Sequence, residues 1–164
     1  TVMSNLALDK AVQGYGGKVV RTKVGDRYVV EEMRKNGYCF GGEQSGHLVY
    51  LDHASTGDGM VGALKLLTML KSQGCSLQDL SKTFEPYPQS LVNIQVSEKR
   101  PIEELDSVQA VIQRIESGLG SDGRVMVRYS GTEAKARVLV EGPDSEQVQA
   151  WAQEIADSMQ AALG

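Results

Sequence analysis

The 164-residue chain predicts two small mixed domains, residues 1–85 and 86–164, the second an α+β fold with an open sheet and two helices on one face. Three observations carry this. FEPYPQS (84–90) concentrates two of the four prolines, and proline suits neither a helix interior nor a central strand, so the segment reads as a linker. Beyond it the apolar spacing runs strand–helix–strand–strand–helix, which packs as one sheet layer and one helix layer. Before it, helices and short strands alternate. Val2 and Met3 read as the tail of a strand, and a sheet lacking its first strand makes a poor stand-alone domain, so the chain reads as a fragment.

Each element has a local reason. Ser4 can cap a short helix over 5–13, closed by Gly14, Gly16 and Gly17. KVVRTKV (18–24) is rich in β-branched residues and reads as a strand. Gly25-Asp26 turns the chain into a helix over 27–36 that ends at Gly37. YCFGG (38–42) and HLVYL (47–51) read as strands around a polar loop. Thr56 or Asp58 can cap a helix over about 59–73, apolar on most sides (Met60, Val61, Leu64, Leu66, Leu67, Met69, Leu70) and therefore expected to be buried. Ser76 and Asp79 have capping-box spacing for one more short helix. After the linker, LVNIQV (91–96) alternates as a half-buried strand. Pro101 opens a helix with Leu105, Val108, Ile112 and Ile115 at helical spacing. RVMVRYS (124–130) and KARVLVEG (135–142) are strands around a short loop. The last helix starts near Asp144 and carries Val148, Trp151, Ala152, Ile155 and Met159 on one face.

Composition narrows the function classes. The net charge of −4 argues against general nucleic-acid binding. No apolar run approaches the roughly 20 residues of a membrane span. Cys39, Cys75, His47 and His53 match no zinc spacing, and the two cysteines read as buried reduced thiols in a cytoplasmic protein. Charge is unevenly placed: residues 86–164 carry 7 basic and 12 acidic side chains, yet Arg124, Arg128, Lys135 and Arg137 fall together with only Glu133 among them. A local cationic cluster in an acidic half suits a small anion rather than a polyanion.

Three segments can support chemistry. In GGEQSGH (41–47), Ser45 is one place too late for a G-x-S-x-G elbow, and a strand rather than a helix follows it, so a hydrolase nucleophile is disfavoured. The phosphate-loop spacings are absent as well. In an extended stretch Glu43, Ser45 and His47 would project together, suited to sugar hydroxyls, with a solvated hairpin as the competing reading. In RYSGTEAKAR (128–137), Arg128 and Arg137 supply planar donor forks, Ser130 and Thr132 supply hydroxyls, and Gly131 lets backbone N–H groups converge on an anion. In VGDRYV (24–29), Asp26 and Arg27 sit where a strand meets a helix. That is a place to touch a ligand, or an ordinary helix cap.

Taken in order, TVMSN, VGDRYV, GGEQSGH, TGDG and RYSGTEAKARVLVEG resemble the α-D-phosphohexomutase superfamily along essentially the whole chain, with Tyr129 resembling its glucosamine branch. The resemblance implies an α/β domain with a mixed sheet (domain 3, its first strand truncated), followed by a TATA-box-binding-protein-like α+β domain 4. It implies an intramolecular phosphotransferase acting on a hexosamine phosphate through a phosphoserine and a glucosamine 1,6-bisphosphate intermediate. The phosphoserine and magnesium would sit in domains 1 and 2, absent from this chain, which alone would be inactive and bind no metal. By the same resemblance Glu43, Ser45, Asp26 and Arg27 bind the sugar and His47 is a candidate general base. Arg128, Ser130, Gly131, Thr132 and Arg137 hold the phosphate that is not being transferred. The family loop commonly continues T-E-P; Ala134 stands here instead, which frees φ and predicts a looser loop. A non-catalytic sugar-phosphate or anion-binding module, and a glucose- or mannose-phosphate relative, remain alternatives.

Overall fold

A computed structural model describes residues 1–164, which form two compact units, Thr1–Pro86 and Tyr87–Gly164. In the first, α1 (Ala7–Gly14) and α2 (Asp26–Asn36) precede a hairpin of β1 (Phe40–Gly42) and β2 (Leu48–Tyr50); α3 (Gly59–Gln73) and α4 (Leu77–Ser81) follow. The hairpin is antiparallel, with Gly41 opposite Val49. Its core is small: Val29 and Met33 of α2 pack against Val49, with Val30 and Leu51 beside them. Gly41 is required there by space. A Cβ at that position would lie 2.5 Å from the Met33 sulfur and 2.7 Å from a Val29 methyl, too close for either to remain in place.

The caps follow local chemistry. Asp58 Oδ1 accepts from the Met60 and Val61 N–H groups, and Ser76 and Asp79 form the capping box. Gly37 and Gly74 end α2 and α3 in the left-handed conformation. At α1 the capping oxygen is not that of Ser4. Asn5 Oδ1 accepts from Ala7 N–H at 3.0 Å, because only Asn5 sits two residues before that amide.

Three expectations for this unit are corrected. Residues 18–24 form no strand. A strand needs a partner for its ladder, and the single backbone bond here runs from Val2 N–H to Thr22 O. Side chains hold the segment instead. Arg21 donates to the carbonyls of Thr1, Ser4 and Asn5 and pairs with Asp9. Second, α3 is not buried: Met60, Leu64 and Leu67 are 71%, 57% and 60% exposed. It meets the hairpin through Gly62 on Leu48, and a core of three buried residues is too small to cover more of it. Third, Cys39 is exposed and Cys75 half-buried, both as free thiols. Cys39 lies just outside β1, where its carbonyl accepts from Leu51 N–H.

The second unit is a three-stranded antiparallel sheet in the order β3-β5-β4, built from β3 (Gln89–Gln95), β4 (Arg124–Tyr129) and β5 (Lys135–Glu141). The helices α5 (Asp106–Leu119) and α6 (Ser145–Leu163) cover the face carrying Ala136, Val138 and Val140. Between these layers lie Val108, Ile112, Ile115, Val148, Ala152, Ile155 and Met159, all buried. Helical spacing thus places one stripe of each helix on alternate residues of the central strand. Asp144 caps α6 by accepting from Gln147 N–H. Pro101 does not open α5; it precedes a 3-10 turn over Ile102–Glu104, and the helix begins at Asp106. Pro101 lacks the N–H that a helix would use, yet its carbonyl can accept from Glu104 N–H, which closes the tighter turn. No helix is long and apolar enough to cross a membrane.

Candidate functional site

The two motif loops lie in different units, each at the end of a hairpin. In the first unit, residues 43–47 close β1 and β2 as a tight turn rather than an extended stretch. Glu43 N–H donates to His47 O at 2.9 Å and Gly46 N–H to Glu43 O at 3.0 Å. Gly46 adopts φ 94°, a conformation that disfavours any side chain. Turn closure brings Glu43 and His47 together, with His47 Nδ1 3.6 Å from Glu43 Oε2. Ser45 sits exposed at the tip and makes no hydrogen bond with either. The expected shared face of Glu43, Ser45 and His47 is therefore corrected: strand alternation does not hold through a five-residue turn.

Glu43 is engaged within its own unit. Its side chain is only 10% exposed, and Oε1 accepts from Gly25 N–H at 2.9 Å, immediately before α2. A carboxylate at a helix N-terminus satisfies a free amide and faces the positive end of the helix dipole. This bond places Gly25-Asp26-Arg27 and the Glu43–His47 turn at one corner of the unit. Asp26 Oδ1 accepts from Arg27 N–H. The Arg27 guanidinium lies along its own helix, bonded to Glu31 at 2.8 Å, which raises its pKa. Removing the Glu43 carboxylate should free the Gly25 amide. In Glu43→Ala, hydrogen exchange at Gly25 is expected to rise about tenfold or more, the loss of one charge-assisted bond. Glu43→Gln, which keeps an acceptor, should restore most of the protection, as amide-resolved exchange would show.

In the second unit the site stands at the β4–β5 turn. Arg128 and Arg137 occupy directly opposed positions of the ladder, on the sheet face away from the helices. Like charges facing each other across strands are destabilising. Arg128 has no hydrogen bond or ion pair within the chain, and the buried Arg137 Nε has no acceptor. Ser130 is buried, and its N–H donates to Lys135 O at 2.8 Å. Its hydroxyl accepts from Glu133 N–H at 3.3 Å. The N–H groups of Gly131 and Thr132 make no hydrogen bond with the protein, and both residues are exposed. Two free amides, a hydroxyl and two guanidinium groups thus stand in or beside one loop, donor types that suit a phosphate-sized anion.

Glu133 is the local counter-charge. Its carboxylate bonds Lys135 Nζ at 2.7 Å and lies 3.6 Å from Arg137 Nη2. The hydrogen bond from Lys135, more than Arg137, holds its pKa below the ordinary value. Arg124 leaves the cationic cluster expected from sequence. It sits at the other end of β4, paired with the fully buried Glu141. Ala134 does not leave the loop end untied, since its carbonyl accepts from Val96 N–H at 3.0 Å. That bond uses a group proline would share.

Sequence reasoning missed two contributors. The Gly25 amide is tied to Glu43 across 18 residues, and no short-range pattern reports such a pairing. Lys99 donates to the Ser130 carbonyl at 2.6 Å across 31 residues. The only sequence signal for it was a charged SEKR segment following a strand.

Residues 1–87 match the family profile "Phosphoglucomutase/phosphomannomutase, alpha/beta/alpha domain III". Residues 91–158 match "Phosphoglucomutase/phosphomannomutase, C-terminal domain". The phosphoglucosamine mutase of Anaeromyxobacter sp. (strain Fw109-5) is 58% identical over 164 residues, which is 100% of this chain and 35% of the relative. The chain therefore spans about a third of that relative's length. A solved structure of Aspergillus fumigatus N-acetylphosphoglucosamine mutase shares the fold, with TM-score 0.82 at 19% identity over 98% of this chain and 37% of the other. Another, of that enzyme with GlcNAc-6P and magnesium, gives TM-score 0.56 at 25% identity over 67% of this chain and 22% of the other. The chain belongs to the phosphoglucomutase/phosphomannomutase family and carries the fold of its third and C-terminal domains.

Proposed function

We propose that residues 1–85 are the sugar-binding domain and residues 86–164 the phosphate-binding domain of a cytoplasmic phosphoglucosamine mutase. The whole enzyme would interconvert glucosamine 6-phosphate and glucosamine 1-phosphate. A phosphoserine in a domain outside this chain passes its phosphoryl group to the free hydroxyl of the sugar monophosphate. The resulting 1,6-bisphosphate turns over, and its other phosphoryl group returns to the serine. The observation that carries this reading is the opposed Arg128–Arg137 pair over a loop whose Gly131 and Thr132 amides are free. Backbone amides and guanidinium forks grip a phosphate through its oxygens, with little regard to which carbon bears it. A turnover mechanism needs such indifference, because either end of the sugar must fit.

In the first unit, Glu43 and Ser45 would receive sugar hydroxyls, and Asp26 and Arg27 would border the ligand. His47 is placed for proton transfer: it is 65% exposed and lies 3.6 Å from Glu43. Ser45 has no base bonded to it, which supports a nucleophile elsewhere. Magnesium accompanies GlcNAc-6P in the solved relative. In this chain no group of three or more His, Cys, Asp or Glu side chains converges as a metal site. The donor set does not fit that ion, and no step of this chain's chemistry is routed through it. We assign it to the longer polypeptide.

A coupled assay tests the proposal. The full-length polypeptide containing this chain should convert glucosamine phosphates in preference to glucose and mannose phosphates, and the 164-residue chain alone should be inactive. Preference for glucose or mannose phosphate would reassign the branch. Activity in the chain alone would overturn the division of labour.

A further inference from the structure

The phosphate loop is held from behind by one short segment. Val96 N–H donates to Ala134 O at the end of the loop. The Tyr129 hydroxyl donates to Arg100 O at 2.6 Å at its start, with burial raising the tyrosine's pKa. Between them, Lys99 Nζ donates to Ser130 O at 2.6 Å. Lys99 forms no ion pair, so its ammonium is committed to a carbonyl although acidic side chains are plentiful in this half of the chain.

Geometry makes that carbonyl informative. Ser130 C=O and Gly131 N–H belong to one planar trans peptide, so they point in opposite directions. Fixing the carbonyl fixes the amide. Without such a hold the Ser130–Gly131 peptide could rotate readily, because glycine tolerates a wide range of φ and ψ and nothing lies within 4 Å of where a Gly131 Cβ would stand.

We propose that Lys99 is a positioning residue: by holding the Ser130 carbonyl it aims the Gly131 N–H at the bound phosphate. The inference rests on the phosphate-site reading given above. Lys99 also withdraws charge from the carbonyl, which makes the Gly131 N–H a better donor through the shared peptide dipole.

The test uses the 164-residue chain, 15N-labelled and titrated to millimolar inorganic phosphate and glucosamine 6-phosphate, with Lys99→Met, Lys99→Gln, Lys99→Arg and Arg128→Ala variants. Lys99→Met should shift the Gly131 amide resonance before any ligand is added and weaken phosphate binding about tenfold, the worth of one well-placed hydrogen bond. Lys99→Arg and Lys99→Gln retain a donor and should recover part of both signals. Three outcomes would overturn the proposal. If Lys99→Met binds like the parent chain while Arg128→Ala does not, the phosphate site stands and the role of Lys99 falls. If Lys99→Gln is as weak as Lys99→Met while its Gly131 resonance is unmoved, Lys99 acts only as a charge. If phosphate moves no loop resonance in any of the chains, the phosphate site falls and the Lys99 role with it.

Discussion

On the proposed function, replacing Arg128 and Arg137 together by alanine should lower kcat/KM of the full-length polypeptide by two to four orders of magnitude and leave the fold at least as stable. The functional loss follows from the chemistry. Each guanidinium would contribute charge-assisted bonds worth about 1.5–3 kcal/mol, and two of them correspond to roughly 10²–10⁴ in rate at 1.36 kcal/mol per tenfold. The stability gain follows from the ladder. The two arginines are direct partners on β4 and β5, and opposed like charges cost about 0.2–1 kcal/mol. The buried Arg137 Nε without an acceptor adds a desolvation cost. Against this stands the contact with Glu133, 3.6 Å long and 34% and 45% exposed at its two ends, which contributes little. A pair whose loss leaves the fold as stable but lowers turnover would have the signature of a site. Steady-state kinetics and thermal melts of the double variant check both halves. Lost stability with intact kinetics would make the arginines structural.

How much of this was legible beforehand depended on where the partners lay. Leu105, Val108, Ile112 and Ile115 on α5, and Val148, Ala152, Ile155 and Met159 on α6, were read from spacing alone, and all are buried. The second unit contains both of its layers, so apolar periodicity and burial coincide. In the first unit they part company. KVVRTKV has strand composition but no ladder, since composition reports that a residue fits a sheet and not that a neighbour is present. The apolar faces of α3 follow the same logic: periodicity identified the helix, while its burial depended on a second layer. For the sites, residue types pointed to RYSGTE, and the structure brings those residues together at one turn. The motif could not reveal that Glu43 is engaged with Gly25, or that Lys99 reaches Ser130. Nor could it divide the arginines, for Arg124 and Arg128 look alike in sequence. Four strand steps separate them by roughly 13 Å, and only Arg124 meets Glu141.

That division sets the second large expectation. Arg124→Met should destabilise the second unit by about 3–5 kcal/mol, the usual cost of leaving one member of a buried ion pair without its partner. Glu141 is fully buried. Its Oε2 bonds Arg124 Nε across the ladder, and its Oε1 has no hydrogen-bond partner. Loss of Arg124 would strand a buried carboxylate without counter-charge. The single variant should therefore unfold at lower denaturant concentration. Arg124→Met/Glu141→Met should recover most of the loss, since apolar replacements remove both desolvation costs at once. Phosphate binding supplies the internal control. Arg124 lies at the far end of β4 from the loop, so on the proposed function the double variant, once folded, should bind sugar phosphate as the parent does, whereas Arg128→Ala should not. Denaturant titrations, paired with phosphate titrations, would show whether the two arginines divide the work in this way; equal losses of phosphate affinity in the two variants would show that they do not.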